Sequence, residues 1–85
     1  MPVQILYFAS VREAVGLGAE SIDLPDHVHT LADLAHWLRQ KSPGHAHAFA
    51  DISRLCTARD QTMADFDAAI GDAREIAFFP PVTGG

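Results

Sequence analysis

With a single cysteine, Cys56, the 85-residue chain cannot form an internal disulfide. It also lacks any stretch approaching the ~18–20 apolar residues that a bilayer span requires. Met1-Pro2-Val3 carries no basic region, and the apolar run behind it is too short for a secretory signal. These absences predict a reducing, cytoplasmic setting. Positive charge is scarce: six Lys and Arg stand against eleven Asp and Glu, for a net charge of −5. Without a basic run to release counterions, the balance argues against nucleic acid and anionic membranes as partners. A basic protein surface remains compatible, although ordinary solubility explains the charge equally well. No phosphate-cradling glycine loop is present. Ser10 and Ser21 have no convincing His and Asp to form a nucleophilic constellation.

What the chain does have is a globular composition, with 48% apolar and 20% charged residues. Its length fits one domain. Such a small domain buries a modest share of its surface and has little room for a deep internal active site. It is better suited to presenting a surface or a terminus.

Alternation over residues 3–9 predicts a strand, with Val3, Ile5 and Tyr7 on one face. Ser10-Val11-Arg12-Glu13 has capping-box spacing and predicts a short helix that stops near Gly16 or Gly18. Residues 20–24 read as a second strand. The clearest helix follows Thr30, with Asp33 at the capping position and a stripe of Leu31, Leu34, Ala35 and Leu38. Pro43-Gly44 blocks its continuation, and residues 45–51 read as a further short helix. Residues 54–59 and 62–66 read as a hairpin around Asp60-Gln61, and residues 74–79 as the last strand. This order predicts an α+β fold, a mixed sheet with one main helix across one face.

The domain is expected to span residues 1–79, with residues 80–85 as an extended tail. Pro80 and Pro81 have fixed φ and no N–H, so they end sheet pairing and stiffen the exit. Val82 and Thr83 favour extended backbone. Six extended residues reach roughly 20 Å, enough to enter a pocket of another protein. Gly84 and Gly85 have no Cβ and can thread a narrow channel. A carboxylate is a poor acyl donor until ATP converts it to an acyl-adenylate. Attack by a sulfur nucleophile then leaves a thiocarboxylate, and glycine offers this attack the least hindrance. The plain alternative is a frayed terminus that happens to end in two glycines.

Phe78-Phe79-Pro80-Pro81-Val82-Thr83-Gly84-Gly85, preceded by Glu75-Ile76-Ala77, resembles the C-terminus of the MoaD family of small, sulfur-carrying molybdopterin synthase subunits. Ile5-Leu6-Tyr7-Phe8-Ala9-Ser10-Val11-Arg12-Glu13 is similar to that family's opening strand and helix, and the likeness extends through Gln61-Thr62-Met63 and Asp65-Phe66. Two turns depart from the pattern: Ala73-Arg74 replaces a common Gly-Asp, and Asp60 replaces a common Asn. The resemblance implies a ubiquitin-like β-grasp fold in which the first and last strands are central neighbours. It implies that a MoeB-type enzyme adenylates Gly85 with ATP and that a sulfur donor enzyme supplies the sulfur. The resulting thiocarboxylate would enter a MoaE-type large subunit and deliver sulfur to cyclic pyranopterin monophosphate. Two donations make the dithiolene of molybdopterin, so a heterotetramer with two carriers is implied. No permanently bound cofactor is expected, and the small subunit alone is not expected to catalyse the transfer.

Alternation in the last strand places Glu75, Ala77 and Phe79 opposite Ile76 and Phe78. If Val3, Ile5, Tyr7, Ile76 and Phe78 pack under the helix, Phe8 and Phe79 face solvent. By the resemblance, Met63 joins the same patch. An exposed aromatic patch beside a reactive tail suggests a docking surface.

Other residues favour structural readings. His27/His29 and His45/His47 are spaced two apart but lack finger-like ligand spacing, so they are expected at the surface or in caps rather than on metal. Cys56 is expected to be buried and inert, and Trp37 to pack at a helix edge. Rival functions remain: a β-grasp carrier for thiamine or tRNA thiolation, a modifier conjugated through Gly85, or a binding module whose tail never reacts.

Overall fold

The computed structural model describes residues 2–81. Four of the tail residues singled out above, Val82, Thr83, Gly84 and Gly85, lie outside the described residues. The elements run β1 (Val3–Tyr7), α1 (Ala9–Val15), β2 (Ala19–Ile22), α2 (Leu31–Leu38), α3 (Pro43–Ala48), a 3-10 turn (Ile52–Arg54), β3 (Cys56–Arg59), β4 (Thr62–Ala64) and β5 (Glu75–Phe79). They form one mixed sheet in the order β2-β1-β5-β3-β4. β1 and β5 are parallel central neighbours, with Ile5 opposite Ile76 and Tyr7 opposite Phe78. The other strand pairs are antiparallel. This is the ubiquitin-like β-grasp arrangement.

Period-two patterning decides which side of the sheet is covered. Val3, Ile5, Tyr7, Ile76 and Phe78 are all buried, beneath Leu31, Leu34, Ala35 and Leu38 of α2. Phe49 meets Phe78 edge-on at 5.0 Å between ring centroids, and Phe66 stacks on Phe78 at 6.2 Å. α2 begins with the expected capping box. Thr30 Oγ1 accepts from the Asp33 N–H at 3.0 Å, and Asp33 Oδ2 accepts from the Thr30 N–H at 3.1 Å. The backbone N–H groups of His29 and Thr30 hold the Asp33 carboxyl below its ordinary range.

The start of α1 differs from the sequence expectation. Ser10 is not its N-cap; the helix begins at Ala9, and Phe8 occupies the cap position without a side-chain bond. Long-range pairing explains the difference. The Phe8 N–H donates to the Phe78 carbonyl at 3.1 Å, keeping Phe8 extended until the chain turns abruptly. That turn leaves Ala9 at φ 51°, and the Phe8 carbonyl accepts from the N–H groups of Val11 and Arg12. At the other end Gly16 adopts φ 87°, a left-handed cap as expected.

α3 starts two residues earlier than the sequence suggested and ends at Ala48. Ser42 caps it, accepting from the His45 N–H at 3.1 Å, and Pro43 occupies a first-turn position where its missing N–H is harmless. Gly44 lets α3 approach α1 closely, because a Cβ there would collide with the Ala14 carbonyl oxygen. Gly44→Ala should therefore destabilise the domain by about 1–3 kcal/mol, as overpacking generally does. Chemical denaturation measures this directly, and an unchanged midpoint would rule out the close approach.

The β3–β4 turn places Asp60 at φ 49° and Gln61 at φ 69°, the paired left-handed geometry of a tight hairpin. Asp60 Oδ1 also accepts from the N–H groups of Arg74 at 2.9 Å and Glu75 at 3.0 Å. The residue that departs from the family pattern thus ties this turn to the start of β5.

Candidate functional site

The open face of the sheet is assembled by register. Leu6 pairs with Ala77, Ala77 with Ala58, and Ala58 with Met63, giving a row with one apolar residue from each of four strands. A second row lies nearer the end of β5, where Phe79 pairs with Cys56 and Phe8 follows Tyr7 at the end of the parallel ladder. Met63 is 63% exposed and Phe8 47%. Phe79 and Leu6 are half-buried, while Ala58 and Ala77 lie covered between larger neighbours. Phe8, Met63 and Phe79 thus share the face opposite the helices. Pro80, half-buried, and Pro81, exposed, continue the chain directly from this second row.

Leu17 was not singled out from the sequence. The Tyr7 N–H donates to the Gly18 carbonyl at 2.9 Å, which carries the β1–β2 pairing past its named strands and brings Leu17 into line with Phe8. Leu17 is 47% exposed and widens the second row. The sequence signal was an apolar residue between two glycines, unremarkable without the register. Cys56 also differs from expectation. It is half-buried because its cross-strand neighbour Phe79 belongs to the open face rather than to the core.

A polar cluster lies on the helix side of the sheet. The Tyr7 hydroxyl donates to Glu20 Oε2 at 2.7 Å, and His45 Nε2 lies 2.6 Å from the same oxygen. Ser42 Oγ lies 2.7 Å from His45 Nδ1, and Lys41 Nζ lies 3.8 Å from Glu20 Oε1. His45 is only 5% exposed and sits at the Ser42 cap of α3, the cap alternative of the sequence expectation, whereas His27, His29, His36 and His47 are exposed. Burial would raise the Glu20 pKa, but hydrogen bonds from His45 and Tyr7 and the positive charges of His45 and Lys41 outweigh it and hold the carboxyl below its ordinary value. Burial first, and then the Glu20 carboxylate, push the Tyr7 hydroxyl up.

Ser42, His45 and Glu20 resemble a nucleophile–base–acid chain in composition only. Ser42 Oγ already serves as the α3 cap, and neither of two surface clefts opens onto it. One cleft, of about 230 Å³, is lined by His27, Asp33, His36, Trp37 and Gln40. Lys41 sits 5.3 Å over the Trp37 ring. Among the described residues no group of three His, Cys, Asp or Glu could hold a metal ion. Among them, too, no helix is long and apolar enough to cross a membrane.

Comparison with known proteins agrees with the fold and the sequence motifs. The chain is 40% identical over 85 residues to the molybdopterin synthase sulfur carrier subunit of Escherichia coli, covering 98% of this chain and 99% of that protein. It is 39% identical over 83 residues to the protein of the same name from Haemophilus influenzae, covering 98% and 99% respectively. Its backbone matches the crystal structure of SAMP1 from Haloferax volcanii with a TM-score of 0.71 at 23% identity, over the full length of both chains. The ThiS family model matches residues 5–85. The chain therefore belongs to the ThiS family, alongside molybdopterin synthase sulfur carrier subunits.

Proposed function

We propose that this protein is the sulfur carrier of a molybdopterin synthase, working through the carboxylate of Gly85. The observation that supports this reading best is the position of the open apolar face. Phe8, Phe79 and Met63 lie on the side of the sheet from whose central strand, β5, the Pro80-Pro81 exit emerges. A partner seated on these residues would receive the tail beside its docking surface.

In the proposed cycle, a Gly85 carboxylate oxygen attacks the α-phosphorus of ATP in a MoeB-type enzyme, and pyrophosphate leaves. A sulfur nucleophile from a donor enzyme then attacks the acyl carbon, and AMP leaves. With a persulfide as that nucleophile, the product is an acyl disulfide. A second thiol of the donor system then attacks the donor's sulfur, forms a disulfide with it, and releases the Gly85 thiocarboxylate. Val82, Thr83 and Gly84 would extend this group into a MoaE-type large subunit. There the sulfur would pass to cyclic pyranopterin monophosphate, with two carriers serving the two sulfurs of the dithiolene. The activating enzyme and the large subunit supply the binding sites for ATP and the pterin. This chain supplies the docking face and the arm, working in the cytoplasm.

Phe79→Asp tests the docking half of the proposal. Placing a charge at the centre of a desolvated contact should weaken large-subunit binding by about 2 kcal/mol or more, roughly 30-fold. Titration calorimetry reads the affinity, and thermal unfolding should show the fold intact, because Phe79 lies outside the core cluster. Unchanged affinity would remove Phe79 from the interface.

A further inference from the structure

We propose that the Glu20 carboxylate is an acid-released latch that holds α3 on the sheet. α3 has six residues, too few to persist without tertiary contacts. Its apolar anchors are Phe49, just past its end, and the Gly44 contact with α1. Its polar anchor is His45, whose partner Glu20 lies on β2, an edge strand of the sheet. Glu20 Oε2 is the shared acceptor for Tyr7 from β1 and His45 from α3. One carboxylate thus joins three elements that are distant in sequence.

The hydrogen-bond directions at Glu20 follow from its carboxylate, which when ionised can only accept. Ser42 Oγ accepts from the His45 backbone N–H and also faces Nδ1, while the Glu20 carboxylate takes the proton of Nε2–H in either the Nε2–H tautomer or the imidazolium. Tyr7 and His45 therefore both donate toward one oxygen. Protonating the carboxylate removes its charge and adds a third donor to a cluster already supplied with them. Poorly partnered polar groups in a buried network are costly.

The charged and titratable groups facing the pair are Tyr7 from β1 and Lys41 from the α2–α3 connection. α1 offers the backbone carbonyls of Ala14 and Val15 to Gly44, and its Arg12 guanidinium lies against Gly18. Since the Glu20 carboxyl is held below its ordinary value of 4.5, its contribution is complete above that pH and is lost as the pH falls through the lower folded-state value. Release of α3 should loosen α1 as well, through the Gly44–Ala14 contact, while the apolar β1–β5 pairing persists.

Amide hydrogen exchange followed by NMR, corrected for the intrinsic effect of pH on exchange, tests the latch on the isolated protein. In the wild type, the amides of Ala46 and Phe49, which donate to Ser42 and His45 carbonyls, should lose protection roughly tenfold or more below the ordinary carboxylate range. The Phe8 amide, bonded to Phe78, should stay protected over the same interval. Glu20→Gln should show weak α3 protection already at neutral pH and little further change on acidification. This variant separates the latch from Asp33 and Asp51, whose carboxyls are also held low. Simultaneous loss of α3 and β1 protection, or wild-type pH dependence in Glu20→Gln, would overturn the proposal. Should that variant not fold, the Glu20 side-chain carbon shift in the wild type decides: its titration must coincide with loss of α3 protection, and a mismatch refutes the latch.

Discussion

Appending a single residue after Gly85 is expected to abolish sulfur loading while leaving docking intact. The addition moves the reactive carboxylate by about 3.5 Å, one extended residue. It also turns the former acyl carbon into an unreactive peptide carbonyl. An adenylating site holds its acyl group in near-attack geometry, where a displacement of about 1 Å can already reduce rate 100-fold. Thiocarboxylate formation, measured with the activating enzyme, ATP and a sulfur donor, should therefore fall by more than about 100-fold. Affinity for the large subunit should change much less, since Phe8, Phe79 and Met63 are untouched. Loading at the wild-type rate would contradict a role for the Gly85 carboxylate. A large loss of docking with loading preserved would assign the tail to recognition rather than chemistry.

Phe78→Ala is expected to produce the largest loss of stability, whereas change at its half-buried neighbour Phe79 is expected to leave the fold intact. Phe78 is fully buried, opposite Tyr7 in the central parallel pair and packed between Phe49 and Phe66. Truncating a buried phenylalanine costs about 3–5 kcal/mol, combining lost transfer energy with the cavity left behind. Small domains have about 5–15 kcal/mol in total, so the variant should be partly unfolded at moderate temperature. Urea unfolding monitored by circular dichroism gives the difference. A loss below about 1 kcal/mol would mean that the site collapses around the missing ring.

The contrast between Phe78 and Phe79 was legible because strand side chains alternate, and the apolar stripe of α2 fixed which face had to be covered. The same rule placed Val3, Ile5, Tyr7 and Ile76 in the core. The Thr30–Asp33 cap was legible because all its bonds are local. The Ser10 cap failed for the opposite reason: pairing of Phe8 with Phe78, remote in sequence, sets where the chain can turn. The Glu20 partner of His45 was not legible, because it lies 25 residues away and no periodicity links them. Cys56 and Leu17 depended on register, which decides whether a residue beside an apolar neighbour joins the core or the open face. The prolines and terminal glycines of the tail carry a chemical expectation, and its residues 82–85 lie outside the described residues.

The first measurement to make is an intact mass of the protein purified from its own cells, with fragmentation to locate any change. Replacement of one Gly85 carboxylate oxygen by sulfur is the predicted result. A free Gly85 carboxylate that stays unchanged with the activating enzyme, ATP and a sulfur donor would contradict the carrier role, and Gly85 found linked to lysines of other proteins would indicate a modifier instead.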